Sequence, residues 1–375
     1  RTITAGFNLK LPVKEKQIER AVKTLRNARK AFEKKGYTVQ TTRMVTQPWE
    51  QYFKSKKQIL RTVKQLDALT IKHGIDEFSI GTTYKPKNMP LLYYIIKNTS
   101  RVFCTTFASD EKKINYKAAR ESAKLMRKLA RLTPNGFENL KFAALFNVKP
   151  GCPFYPAAYH KGQDSITIGT ESSDLVYKAF SKAKNIERAQ SVLEKTLNIE
   201  YSKLERIAKQ VAKREGVRYG GIDVSIATSV KKSESVAYAF EKLGLGKFGE
   251  AGTLAIAKIV TDVLGKMKTK KCGYCGLMLP VLEDYGLAKR NDQGLYNVSN
   301  LLLYSAVCGT GLDTIPLPGN ISEKKLYAMV LDVASLSIKL NKPLSARLMP
   351  VPNKKSGQRT SFKFEYFENS KIMSI

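Results

Sequence analysis

The chain has 375 residues, 43% of them hydrophobic, and 65 Lys and Arg against 32 Asp and Glu give a formal net charge of +33. That length suits one large domain or two average ones; the absence of any apolar run of about 18 residues predicts no membrane span, and the start RTITAGFNLK lacks the apolar run of a secretion signal. Five cysteines are an odd, sparse set, which argues against a disulfide framework and for a reducing, cytoplasmic setting.

From Glu15 to Lys35, Ile18, Val22, Leu25, Ala28 and Phe32 recur at helical spacing, and Gly36 ends the run. YTVQTTRMVT, rich in β-branched residues, predicts a strand. A helix follows from Lys56 to Lys72, closed by His73 as a cap beside Gly74, and then the strand IDEFSIG. The pattern repeats: a helix over Pro90 to Asn98, strand RVFCTTF, helix Asn115 to Leu132, strand LKFAALFNV. Strand SITIGTE, a helix over Asp174 to Lys182 and a long helix from Ile186 to Glu215 come next. VRYGGIDVSIAT reads as a strand interrupted by two glycines. Helices follow at Glu234 to Leu243 and Glu250 to Leu264. LMLPVLED and LLLYSAV are buried-strand candidates, the second also compatible with a helix. Glu323 to Leu340 is a helix, and LSARLMPV and TSFKFEYF are late strands.

Alternation of strand and helix over the whole chain implies a mostly parallel sheet covered by helices. With no linker or low-complexity segment, residues 1–375 read as a single domain, an α/β barrel with helices outside. A doubly wound open sheet is the alternative. Barrel sites lie in the loops after the carboxyl ends of strands. Those loops carry Cys152 and His160, Thr170 and Glu171, Asp223 and Ser225, Glu283 and Asp284, Cys308 to Asp313, and Asn353 to Gly357. Parallel strands would bring them to one rim.

The chemistry of these groups suggests roles. Glu283, Asp284 and His160 are candidate acid–base residues, and Asp223 and Glu171 could complete the oxygen set that a hard divalent metal needs. Glu283 and Asp284 could equally cap the next helix, and His160 could be a core histidine. CGTGLDTIPLPG, Cys308 to Gly319, reads as a tight turn with Cys308 at its tip. Gly309 and Gly311 would allow positive φ, so that amides around Thr310 approach a ligand, and Pro316 and Pro318 would stiffen the exit. Cys308 is either a packing thiol or a nucleophile. Ser225, Asp313, Lys354 and Lys355 are candidate ligand-binding residues, the two lysines for an anion. Cys272-Gly-Tyr-Cys275 gives two thiols, half of a zinc site, and reads first as packing. GKFGEAGT before a helix offers amides to an anion but is no Walker sequence.

The Lys and Arg residues are spread along helix faces rather than gathered in a tail. They read first as a solvated surface, with non-specific nucleic acid as a candidate partner, although no binding module is visible.

GCPFYPAAYH, GIDVSIATS, GLMLPVLED, CGTGLDTIPLPG and MPVPNKKSG, in this order, resemble the uncharacterised bacterial and archaeal proteins of domain-of-unknown-function family 711, over nearly the whole chain. The resemblance implies a fold like that of pyruvate formate-lyase-like glycyl-radical enzymes, a barrel of ten strands. It also implies a small ACT-domain protein as a candidate partner, since one is often encoded beside family members. It does not carry the chemistry. Cys308 could stand for the loop cysteine of such enzymes, but Gly357 in KKSGQ departs from their Arg-Val-x-Gly radical pattern, so no glycyl radical is expected. The expectation is a cytoplasmic, homo-oligomeric enzyme acting on a small anionic metabolite at the rim, with no named cofactor beyond a divalent metal. The competing class is a non-catalytic binder of nucleic acid or of a regulatory ligand.

Overall fold

The computed structural model describes residues 2–53, 55–307 and 309–375. The apolar stripe Ile18, Val22, Leu25, Ala28 and Phe32 winds into α1 (Glu15–Glu33) and is buried along its length. It follows a first strand, β1 (Thr2–Phe7), and precedes β2 (Thr41–Thr46). Alternation continues through α2 (Lys56–Lys72), β3 (Glu77–Thr83), α3 (Pro90–Lys97), β4 (Val102–Ser109), α4 (Tyr116–Ala130) and β5 (Phe142–Phe146). Then come β6 (Ser165–Gly169), α5 (Ser173–Ala183), α6 (Ile186–Glu215) and β7 (Arg218–Asp223). The chain ends through α7 (Val236–Glu241), α8 (Thr253–Lys266), α9 (Tyr285–Asp292), α10 (Val298–Val307), β8 (Gly311–Pro318), α11 (Glu323–Leu340) and β9 (Leu344–Val351).

Among the described residues, nine strands form one sheet in the order β7-β6-β1-β2-β3-β4-β5-β9-β8. The expected barrel is not there: the sheet is open, with β7 and β8 as its outer strands. The cause lies in LMLPVLED, the strand that would have been needed between them. Leu277 makes a single bridge to Ile226, the Met278 N–H donates to Ile226 O at 3.1 Å, and the Val281 N–H donates to Asp313 O at 3.3 Å. Pro280 between them has no N–H to give, so isolated bonds to either side never become a ladder.

Most neighbouring strands are parallel, but the sheet is mixed in direction. β1 to β5 run parallel, whereas β6 lies antiparallel on β1 and β9 antiparallel on β5. The carboxyl ends of all strands therefore do not share a rim, which removes the premise on which the candidate residues were expected to converge. Short-range pattern reads strand against helix well but carries no strand direction; that depends on pairing across distant segments.

Three further segments differ from expectation. LLLYSAV takes its helical alternative, as part of α10. From Gly311, CGTGLDTIPLPG is not a turn but β8, an edge strand, where Pro316 and Pro318 are tolerated because one side needs no ladder. TSFKFEYF is no strand. Asn369 binds the backbone of Phe362 on both sides, at 2.8 and 3.0 Å, and folds the segment back on itself. Its Phe362, Phe364 and Phe367 close around Phe137 with ring centroids 6.2, 5.2 and 6.1 Å away.

Strand periodicity sorts the two faces of the sheet. Ile3, Ala5 and Phe7 of β1, Phe142, Ala144 and Phe146 of β5, and Leu344, Ala346 and Leu348 of β9 join the main core under the helices. The alternate residues face the other way, onto the chain at 152–158 and the C-terminal segment. Arg43, Glu77 and Arg347 belong to this second set, because Met44, Phe78, Ala346 and Leu348 belong to the first.

The β8–β9 seam offers one sharp test. Gly311 has φ 96°, and a Cβ on it would lie 2.1 Å from the carbonyl oxygen of Ser345 in β9. Gly311→Ala must part the two strands there, and is expected to lower unfolding free energy by about 2 kcal/mol or more in urea titration. An unchanged midpoint would refute this account of the seam.

Candidate functional site

A cavity of about 700 Å³ opens on the inner face of the sheet. Its wall is drawn from the amino-terminal halves of β1 to β4, the loops after β6 and β7, and parts of β8 and β9, with Phe364 to Tyr366 at its edge. Strand alternation delivers two arginines into it. Arg347, 6% exposed, places Nη2 2.7 Å from Glu283 and Nε 2.5 Å from Asp313. Arg43 places Nε 2.8 Å from Glu77, and its guanidinium lies 5.0 Å from the centre of the Tyr155 ring. The Tyr155 hydroxyl donates to Met44 O, which fixes the ring.

These pairs set the charge states. Burial, opposed by Arg347 and helped by Asp313, pushes the Glu283 carboxyl up to about 7. Burial likewise raises Glu77, against the pull of Arg43. Thr310, 2% exposed, also lines the cavity, and its hydroxyl oxygen has no hydrogen-bond partner.

Of the residues singled out from sequence, the structure brings Glu171, Glu283, Thr310 and Asp313 to this wall. It takes the others elsewhere. Asp284 is the N-cap of α9, accepting from Leu287 N–H at 2.9 Å, Ser235 Oγ at 2.6 Å and Val236 N–H at 2.7 Å; burial pushes it up to about 6. Asp223 is fully buried, and both of its oxygens are taken by Ser225 N–H and Oγ, Tyr274 N–H and Cys275 N–H, at 2.6 to 3.0 Å. It pins the Cys272–Cys275 loop, with Oδ1 accepting three of the four bonds and Oδ2 one. Ser225 is spent on Asp223 and on the Gly276 N–H.

His160 is 1% exposed, with ring Nε2 3.0 Å from Gly162 O, and its backbone N–H donates to Thr46 O at the carboxyl end of β2; burial lowers the ring's pKa. Gly309 packs against Leu277 O, and Gly311 against β9. Lys354 and exposed Lys355 sit in the turn after β9, outside the cavity wall. Cys308 lies outside the described residues. In GKFGEAGT, Lys247 and Gly249 give their amides to Glu250 and Thr253 side chains, leaving those two no anion to bind.

Sequence reading missed Arg43, Glu77 and Arg347. Their signal was present: a cation inside TTRMVT and inside LSARLMPV interrupts a strand buried on both faces, where charge is stable only when paired.

A separate cluster, Glu15 and Glu19 of α1 with His73 at the end of α2, has its ligand atoms within 4.8 Å of one another and could coordinate a metal ion. Lys72 Nζ already lies 2.6 Å from Glu15, so a cation there competes with it. No helix among the described residues is long and apolar enough to cross a membrane.

An open mixed α/β sheet with an ion-paired cavity on its inner face defines the class of protein. A family model described as "Uncharacterised ACR (DUF711)" matches residues 1–365, and the chain belongs to that family. It is similar to a UPF0210 protein of Acetivibrio thermocellus, 30% identical over 266 residues, which are 68% of this chain and 59% of that protein. It is also similar to one of Pyrobaculum aerophilum, 29% identical over 367 residues, 92% of this chain and 80% of that protein. The match thus spans less than two thirds of the Acetivibrio protein. Neither the family nor these relatives tie the chain to glycyl-radical enzymes.

Proposed function

We propose that the chain is an enzyme that holds a small polar metabolite in the inner-face cavity and moves a proton at Glu283. One observation supports this above the rest: the Glu283–Arg347–Asp313 network stands on the wall of a cavity of about 700 Å³, within the ~300–1,000 Å³ range of small-molecule sites. A carboxyl pushed up to about 7 can give or take a proton near neutral pH. Arg347 and Asp313 act as positioning residues that set its charge. The test is untargeted metabolite profiling of a lysate incubated with purified protein. Wild type is expected to consume one compound, and Glu283→Gln to slow this by about 100-fold or more, the usual worth of a general acid or base. Wild type that neither consumes nor retains any compound would sink the reading.

The exterior supports a second association. α1 and α6 are neighbours, joined by Asn27 Nδ2 donating to Glu215 Oε1 at 3.0 Å, and they expose Arg20, Lys23, Arg26, Lys209, Lys213 and Arg214. Such a surface binds nucleic acid through counterion release, without reading sequence. Gel retardation of RNA and DNA alike is expected at low salt and is expected to vanish at physiological salt. Sequence-selective binding that survives physiological salt would contradict this.

A further inference from the structure

We infer that the ligand of the inner-face cavity is an organic cation of the amine or guanidine class. The inference rests on reading that cavity as a ligand site. Charge comes first. The chain carries 65 basic against 32 acidic side chains, yet the cavity wall carries seven carboxylates against three cations. The sign of the molecule is reversed inside it. Both wall arginines are already bridged to acids, Arg43 to Glu77 and Arg347 to Glu283 and Asp313. Most of the acids are committed as well, Glu77, Glu283 and Asp313 to these arginines, Glu234 to Lys231 and Asp174 to Lys178, but an anion would find no uncommitted guanidinium and would meet an excess of carboxylates. Lys354 and Lys355, the candidate anion holders, are not on the wall.

Spacing and surface then separate an organic cation from a metal ion. Among the described residues, only Glu15, Glu19 and His73 bring three ligand atoms within 4.8 Å. The cavity acids do not converge as a hard metal requires; dispersed carboxylates suit a ligand with spread N–H donors. Phe154, Tyr155, Tyr274, Phe364 and Tyr366 add aromatic surface to the wall, and aromatic faces attract ammonium and guanidinium groups. A guanidinium already sits over one of them, Arg43 over Tyr155. The Thr310 hydroxyl, buried on the same wall without a partner, is an acceptor for a ligand N–H.

Titration calorimetry on the wild-type chain tests this with a charge series of one length: 1,5-diaminopentane, 1-aminopentane, 1,5-pentanediol and glutarate, with agmatine and magnesium chloride as further probes. The diamine or agmatine is expected to saturate one site at least about tenfold more tightly than the diol or glutarate, ~1.4 kcal/mol. Glu171→Gln and Thr310→Val are each expected to weaken it, and the wild-type series stands if either variant fails to fold. Glutarate binding as tightly as the diamine overturns the inference while leaving the cavity as a ligand site, and so does magnesium binding without amine binding. No saturation by any probe at millimolar concentration overturns it as well; the proton-transfer reading falls separately, on the profiling experiment.

Discussion

Arg347→Met is expected to destabilise the protein by about 3–5 kcal/mol at neutral pH, the cost of leaving a buried partner charge unpaired. The guanidinium is one cation between two acids, Glu283 and Asp313, on adjoining segments of the inner face. Its removal leaves two carboxylates facing each other near buried backbone, and they must take up protons or admit water. The pH dependence follows in sign. Glu283 already binds its proton more tightly folded than unfolded, because burial raises its pKa to about 7. Its contribution is fully present below the unfolded pKa of about 4.3 and is lost as pH rises through the folded value. Without Arg347 the folded value rises further, so the variant loses less at pH 5 than at pH 8. Urea titrations at the two pH values, with Arg347→Met alone and combined with Glu283→Gln and Asp313→Asn, check this. The triple variant is expected to recover much of the loss. An equal loss at both pH values would mean that the guanidinium acts through packing of its stem, not through charge.

How far the sequence discloses such a site depends on the range of the interactions involved. Helical spacing located α1, α2 and α6 closely, because the stripe of each is written in consecutive turns. For Asp284 the helix cap was the alternative reading beside the acid–base one, and it is the cap that the structure shows. Arg347, Glu283 and Asp313 come from β9, the loop before α9 and β8, and meet only because β9 turns antiparallel on β5 and carries β8 beside it. No local pattern encodes that. Open against closed was equally beyond local reading: LMLPVLED has a strand's composition, and what denies it a ladder is the sparse pairing of its backbone with Ile226 and Asp313. The family resemblance named the right relatives, and four of its five motifs contribute residues to the cavity wall, MPVPNKKSG being the exception. The barrel drawn from it did not survive.

Asp223→Asn is the second large effect. The carboxylate is fully buried and accepts four hydrogen bonds, from Ser225 N–H, Ser225 Oγ, Tyr274 N–H and Cys275 N–H. An amide that keeps its oxygen at the Oδ1 position turns its NH2 group toward the Tyr274 N–H, which loses its acceptor and faces a donor; the opposite orientation orphans the three donors on Oδ1. Hydrogen bonds to a charged group are the stronger kind, and losing them in the interior predicts a loss of about 3 kcal/mol or more. The loop being held is tight. Gly273 has φ 73°, and a Cβ there would lie 2.0 Å from Asp223 Oδ2, so the carboxylate fills the space a side chain would need. The thiols report on the same bond set. Burial, and then the Asp223 charge, push Cys275 up to about 12 and Cys272 well above its ordinary value, which keeps both as unreactive thiols. Neutralising Asp223 removes the charge that opposes the thiolate and loosens the loop that excludes water. Both changes favour reaction. Iodoacetamide labelling of Cys272 and Cys275, followed by mass spectrometry, is expected to quicken at least about tenfold in the variant, with fully buried Cys104 of β4 unchanged as the internal control. If the two thiols react no faster while stability falls, Asp223 holds the strand end rather than the cysteine loop. If all three cysteines quicken together, the variant has opened globally, and the specific role assigned to Asp223 is lost.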